Sequence, residues 1–234
     1  MILEVCANSY ESAVNAEKAG AQRVELCEKL SFGGITPNYN LAKKVISRLN
    51  IPVNILIRPR AGDFNYSDEE FKKIKEDIVL FKNIGCNGIV CGVLTKDKDL
   101  DIDRTSELIQ LSKPLDFTFH RAFDQVNNPI KVLNLLINLK VKRLLTSGQM
   151  KTAIKGISLI KKLIKISNNR IKIMPGSGIN SCNILELNKL NIDEIHGSFS
   201  IVSKNTKRLS DFNEISNCIK LLNTVEFKNK KTKF

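Results

Sequence analysis

The chain alternates eight times between a short apolar or β-branched run and a longer amphipathic segment. The runs lie at 2–6, 22–27, 53–57, 87–92, 115–119, 142–146, 170–174 and 193–197, and the amphipathic segments lie near 9–19, 38–49, 68–83, 103–112, 128–139, 151–166, 181–190 and 211–223. Strands that alternate with helices in this way form parallel βα units. Eight units in 234 residues fit a closed barrel better than an open doubly wound sheet, whose GxGxxG fingerprint is missing after the first strand. The sequence therefore predicts an α/β fold, a single (β/α)8 TIM barrel.

No Gly-, Ser- or Pro-rich linker marks a boundary between domains. We assign residues 1–202 to the barrel, 203–226 to a final helix that closes it, and 227–234 to a basic, disordered tail. No apolar run reaches the length of about 18 residues that a transmembrane helix needs. The N-terminus lacks the basic region of a signal peptide and reaches Glu4 at once. We therefore expect a cytoplasmic protein without a membrane partner.

The formal net charge of +13 raises the question of nucleic-acid binding. The basic residues are mostly lysines spread along the helical segments, which is typical of solvated helix faces rather than of one basic patch. No RRM, KH or zinc-finger signature is present, so no nucleic-acid partner is expected. The six cysteines include no CxxC pair, and most of them are expected to be reduced, buried side chains.

Alternate residues of several predicted strands are polar. In the fifth strand, Phe117 and Phe119 share one face, while Thr118 and His120 share the other. The apolar face must contact the helices, so the polar face points to the barrel axis. Polar groups there are costly unless they are paired or lie at an open end, and the C-terminal ends of barrel strands form the usual active-site face. The residues predicted at that end are Cys6, Glu25, Cys27, Arg58, Arg60, His120, Arg121, Ser147 and His196, with Glu4, Asp116 and Glu194 one layer deeper.

Two of these side chains, Glu25 and His120, are candidate catalytic acids or bases. His120 has an unperturbed pKa near neutral and lies at a strand end, although a structural histidine would show the same pattern. Arg58 opens the segment RPRAGDF and is suited to bind a carboxylate, a phosphate or a sugar hydroxyl. The alternative is that Arg58 only pairs with Glu25 or Glu4 on neighbouring strands.

Two glycine-containing loops follow the sixth and seventh strands, LTSG at 145–148 and PGSGI at 175–179. Glycine lets the backbone approach a ligand closely, and the loops after strands seven and eight of such barrels often hold phosphate. We therefore include Ser147, Gly176 and Gly178 among the candidate ligand-binding residues. A tight turn without a ligand is the alternative.

Cys6 and Cys27 end two adjacent predicted strands on the same interior face. Two thiolates within about 5 Å of each other can bind copper(I) or zinc, especially with a histidine nearby. Two buried cysteines without a metal would fit the sequence equally well.

Several long segments resemble the CutC copper homeostasis family over residues 1–202. They are EVCANS (4–9), RVELCEKLSFGGITP (23–37), IRPRAGDFNYSDEEF (57–71), FTFHRAFD (117–124), LTSG and PGSGI. The resemblance implies a cytoplasmic (β/α)8 barrel that forms homo-oligomers, and a copper(I) site at the positions of Cys6 and Cys27. Ala61 stands where the family usually has glycine, and Gly197 also departs from the usual pattern.

The polar residues of the predicted mouth support a second hypothesis. A two-cysteine copper site does not need Glu25, Arg58, Arg60, His120 or Arg121, and convergent polar groups of this kind are typical of enzyme pockets. The alternative function is therefore a TIM-barrel enzyme of hydrolase or lyase type. It would act at the barrel mouth on an anionic or polyhydroxylated small molecule.

Overall fold

Eight parallel strands surround a central axis in the computed structural model, which describes residues 1–202 and 208–231. The strands are β1 Ile2–Ala7, β2 Arg23–Leu26, β3 Val53–Leu56, β4 Gly88–Cys91, β5 Asp116–Phe119, β6 Arg143–Thr146, β7 Lys172–Pro175 and β8 Glu194–Gly197. They follow the order β7-β6-β5-β4-β3-β2-β1-β8, and a parallel bridge between Gly176 and His196 joins the two ends. Each strand coincides with one of the predicted apolar runs, so the predicted (β/α)8 barrel is confirmed.

Eight helices pack around the strands. They are α1 Tyr10–Lys18, α2 Tyr39–Arg48, α3 Asp68–Asn83, α4 Ile102–Ser112, α5 Pro129–Asn138, α6 Ile157–Ser167, α7 Ile184–Asn188 and α8 Phe212–Lys231. Local sequence explains where some of them begin. Ser67 and Glu70 form a reciprocal capping box at the start of α3, and Asn128 caps α5, whose first residue is Pro129. No helix in the described residues is long and apolar enough to cross a lipid bilayer.

The segment after β8 differs in detail from the expected single helix. A short antiparallel pair, β9 Ser200–Val202 and β10 Arg208–Ser210, precedes α8. Residues 203–207, expected to begin the final helix, lie outside the described residues. Helix α8 continues to Lys231, into the segment expected to form a basic tail, and residues 232–234 again lie outside the described part.

The two faces of each strand divide as the alternation predicted. Apolar residues such as Leu3, Val24 and Ile55 are fully buried in the main hydrophobic core. The axial face carries polar residues, and parallel register places them side by side: Glu4 lies opposite Arg23 on one side and His196 on the other. The lower part of the barrel axis is therefore polar, whereas Leu56 and Val90 form a small apolar cluster with Cys6 and Cys27 above it.

A layer of buried ion pairs fills the lower part of the axis. Arg23 donates to both Glu4 and Glu194, and Arg143 donates to Glu194 at 2.8 Å and to Asp116 at 3.0 Å. Burial alone would raise the pKa of Glu4, but its hydrogen bond to His196 and the charge of Arg23 lower that pKa to about 2. Glu4 therefore stays ionised at the floor of the site.

Replacing Arg23 tests this layer, because Arg23 is the cation between two buried carboxylates. We expect Arg23→Met to lower the free energy of unfolding by about 3–5 kcal/mol, since a buried charge then loses its partner. Chemical denaturation followed by circular dichroism measures the change. Arg48→Met is the matched control, because Arg48 is 45% exposed and lies 3.5 Å from Glu17, and surface pairs contribute about 0–1 kcal/mol. Equal losses in both variants would contradict a stabilising role for Arg23.

Candidate functional site

A cavity of about 950 Å³ opens at the C-terminal end of the strands. The sequence-predicted residues that line it are Cys6, Glu25, Arg58, His120, Arg121, Gly178 and His196. The structure thus brings most of the predicted set together at one mouth. Arg60, Ser147, Gly176 and Cys27 do not line the cavity.

Two cysteine thiols meet at the floor of this cavity. The Sγ atoms of Cys6 and Cys27 lie 3.5 Å apart, as their positions at the ends of β1 and β2 predicted. Cys6 borders the cavity, whereas Cys27 is fully buried beneath Gly34, whose added Cβ would lie 3.5 Å from the Cys27 sulfur. The hydrogen bond with Cys27 and burial raise the pKa of Cys6 well above its usual value. Without a metal, the Cys6 thiol therefore stays protonated.

Glu25 and His196 complete a compact group with Cys6. Their nitrogen, oxygen and sulfur ligand atoms all lie within 4.8 Å of one another, and the Cys6 thiol donates to Glu25 Oε1 at 3.5 Å. Burial raises the pKa of Glu25. Its second oxygen, Oε2, is buried and has no hydrogen-bond partner among the described residues.

His196 is held in place from below. Its Nδ1 lies 2.8 Å from Glu4 Oε1, and its ring also hydrogen-bonds to Cys6. Burial alone would lower the pKa of His196, but the charge of Glu25 and the bonds to Cys6 and Glu4 raise it well above the usual value. A Cβ at Gly176 would lie 3.2 Å from the His196 ring, so Gly176 provides space for the ring rather than contacting the cavity itself.

His120 lies on the opposite wall in a different environment. Its Nδ1 accepts a hydrogen bond from the Ala122 amide at 3.2 Å, and its ring packs 4.9 Å from the Phe64 ring. A Cβ at Gly92 would come within 2.6 Å of Nδ1, so only glycine leaves room for the imidazole there. Burial and the charges of Arg58 and Arg121 lower the pKa of His120 to about 3. The ring is therefore neutral near pH 7.

Arg58 and Arg60 have separate structural contacts. Arg58 donates to the backbone carbonyls of Phe32, Gly34 and Gly62 at 2.8–3.1 Å, and its guanidinium lies over the Phe64 ring. It thus ties two loops of the mouth together instead of pairing with Glu25 or Glu4. Arg60 faces outward and pairs with Glu70 and Asp63 on the surface.

Asp124 organises the loop after β6. Its carboxylate accepts hydrogen bonds from the Ser147 amide and hydroxyl, the Thr146 hydroxyl and the Gln149 amide, and it pairs with Arg121 at 2.8 Å. Ser147 is fully buried within this arrangement. The LTSG segment is therefore anchored by its own contacts. Arg121 and Ser147 of this group were predicted from the sequence to contact a ligand, and Ser147 instead contacts Asp124.

Phe64 and Gly92 are site residues that the sequence reasoning did not select. Phe64 lies within the motif RPRAGDF, and Gly92 directly follows β4. A glycine directly after a barrel strand is a usable signal, because it indicates close approach of another group. Phe64 gives no such signal, since an aromatic residue in a loop equally suits the hydrophobic core.

The fold and the mouth define the class: a TIM-barrel protein with two buried thiols and a histidine at the C-terminal end of its strands. The model of the CutC family matches residues 1–201, and the chain belongs to this family. It is 47% identical over 197 residues to a CutC family protein of Pasteurella multocida, covering 84% of this chain and 81% of the relative.

Human and streptococcal relatives extend the comparison. The human copper homeostasis protein cutC homolog is 47% identical over 183 residues, covering 78% of this chain and 67% of the human protein. The crystal structure of CutC from Streptococcus agalactiae superposes with a TM-score of 0.80 at 32% identity, covering 85% of this chain and 98% of that one. The predicted family is therefore confirmed, and relatives in it carry copper homeostasis in their names.

The protonation of His120 can be measured directly, because the chain has only two histidines. We expect nitrogen-15 NMR to show a neutral His120 ring with its proton on Nε2 at all values between about pH 5 and pH 8. The physical reason is that the Ala122 amide occupies Nδ1, while burial and two arginines oppose a charged ring. His196 is the internal control. Its pKa is raised rather than lowered, so its ring should appear as imidazolium near pH 7. A His120 resonance that titrates near its usual pKa would contradict this description.

Proposed function

We propose that this protein binds copper(I) through Cys6 and Cys27 and takes part in copper handling in the cytoplasm. The observation that carries the proposal is the 3.5 Å separation of the two thiol sulfurs at the floor of an open cavity. Soft thiolate ligands select copper(I). The names of the human and streptococcal relatives support the same metal.

His196 suits a third ligand of this site, provided that copper(I) displaces the proton on its Nε2. Histidines that bind metals usually donate their second ring nitrogen to a carboxylate, which fixes the ring orientation. Here Glu4 occupies Nδ1 of His196 at 2.8 Å, and the ring contacts Cys6. Glu25 is a harder oxygen ligand and is less suited to copper(I) than the two thiolates.

The accessibility of the two thiols differs, and this sets an order of binding. Cys6 borders the cavity, whereas Cys27 is fully buried behind it. Copper(I) therefore meets Cys6 first and then Cys27, and binding through both thiolates releases one proton from each thiol. All six cysteines are free, which agrees with the reducing conditions of the cytoplasm.

Copper(I) titration under anaerobic, reducing conditions tests the proposal. We expect the wild type to bind one copper(I) per chain in competition with a chromogenic chelator, and the variant Cys6→Ser/Cys27→Ser to bind none, because serine supplies no soft ligand. The matched control is Cys86→Ser/Cys218→Ser, which removes two buried thiols elsewhere in the barrel and should keep full binding. Stoichiometric copper in the first variant, or preferential retention of zinc by the wild type, would overturn the proposal.

The homo-oligomer implied by the family resemblance is a further part of this proposal. The described residues of one chain already form a complete barrel, so the barrel itself does not require a second copy. Sedimentation analysis of the full chain tests the proposal, and we expect a mass larger than that of one chain.

A further inference from the structure

The barrel mouth contains three buried polar atoms that the protein itself does not satisfy. Glu25 Oε2, Arg58 Nε and His120 Nε2 have no hydrogen-bond partner among the described residues, and all three side chains line the cavity. Leaving a buried donor or acceptor without a partner costs about 1–3 kcal/mol, so native proteins seldom do so. A copper(I) ion held by the two thiols is a poor partner for the hard carboxylate oxygen and cannot accept a hydrogen bond from an N–H donor. The three atoms therefore point to a second occupant of the mouth.

The proton position on His120 determines what that occupant must offer. Because Nδ1 accepts the Ala122 amide, the neutral ring carries its proton on Nε2 and is a hydrogen-bond donor there. The Phe64 ring at 4.9 Å and the absence of a Cβ at Gly92 hold the imidazole in this orientation. The occupant must present an acceptor oxygen to His120. Glu25 Oε2 accepts a hydrogen bond when the carboxyl group is ionised and can donate one when it is protonated, and a ligand hydroxyl matches either state.

The charges at the mouth disfavour a phosphate or another strong anion. Bidentate recognition of such groups needs an arginine with two free nitrogens. Arg58 directs both terminal nitrogens at backbone carbonyls, so only its Nε lacks a partner, and Arg121 uses Nε for Asp124 and a terminal nitrogen for Ser147. The lining also includes the carboxylates of Asp211 and Glu214. A neutral ligand fits this set better than an anion.

The size and rim of the cavity agree with a small organic molecule. Its volume of about 950 Å³ lies within the usual range of small-molecule pockets and is far larger than a metal ion needs. Phe32 lies at the rim with 64% of its surface exposed. An exposed aromatic face can pack against the apolar face of a sugar ring.

We propose that the mouth binds a neutral polyhydroxylated molecule of the monosaccharide or sugar-alcohol class. His120 Nε2–H donates to one oxygen of this ligand, and a ligand hydroxyl hydrogen-bonds to Glu25 Oε2. The two protein atoms have almost no exposed area, so the surrounding side chains separate slightly to admit the ligand. His120 is thus a donor of fixed orientation at neutral pH, rather than the acid or base expected from the sequence. The proposal does not depend on copper binding.

Histidine-labelled protein provides a direct test with three probes, D-ribose, D-glucose and xylitol. We expect at least one probe, at millimolar concentration, to shift the Nε2 resonance of His120 in a saturable manner. Inorganic phosphate is the comparison probe and should bind more weakly. No saturable shift with any of the three, or tighter binding of phosphate, would overturn the proposal.

Two conservative variants separate a ligand contact from a structural role of His120. His120→Asn keeps an acceptor near the position of Nδ1 for the Ala122 amide but loses the donor, and we expect about tenfold weaker binding by calorimetry. His120→Gln places an amide donor near the position of Nε2 and should restore part of the affinity. Thermal unfolding identifies any loss that comes from misfolding. Equal affinity in His120→Asn and the wild type would contradict the contact.

The copper proposal and this one fail separately. Cys27→Ser removes a proposed copper ligand that does not line the cavity, so probe binding should persist while copper(I) binding is lost. Loss of probe binding in a folded Cys27→Ser variant would contradict a separate ligand site.

Discussion

The bond between Glu4 and His196 connects the core of the barrel to its mouth. Glu4 is fully buried. One of its oxygens accepts a hydrogen bond from Arg23 in the ionic layer below, and the other is hydrogen-bonded to His196 Nδ1 above. Neither charge would be tolerable alone at this depth, because isolated buried charges are strongly disfavoured. The position of His196 beside Cys6 is therefore a consequence of how the barrel neutralises its own axis. The site and the stability of the fold share the same residues.

The two histidines show how environment decides the chemistry of one residue type. Both are buried, and burial by itself lowers the pKa of each. His196 is surrounded by carboxylates, so its charged form is favoured, whereas His120 is near two arginines and stays neutral. The sequence placed both at strand ends, but it could not show which charges would surround them. Without a metal, the opposite pKa shifts favour a cationic ring at His196 and a neutral donor at His120 in the same cavity.

Strand periodicity was sufficient to predict the fold and most members of the site. A two-residue period, combined with parallel register, brought Cys6, Cys27 and Glu25 to one end of the axis, where the structure places them. The same reasoning applied to Arg23 would have indicated the ionic layer, since Arg23 shares the interior face with Glu25. Loop residues were harder to place, because no period constrains them. Arg60 turned outward to Glu70 while Arg58 turned inward, although only one residue separates them.

Glu25 lies where the two proposed ligand sites meet. One carboxylate oxygen accepts from Cys6, and the other has no partner in the described residues. A metal on Cys6 would displace the thiol proton and so remove the hydrogen bond to Oε1. The charge and orientation of Glu25 would then change for whatever occupies the cavity above it. Binding at the two proposed sites would consequently be coupled through one side chain, and thermodynamic linkage requires such a coupling to act equally in both directions.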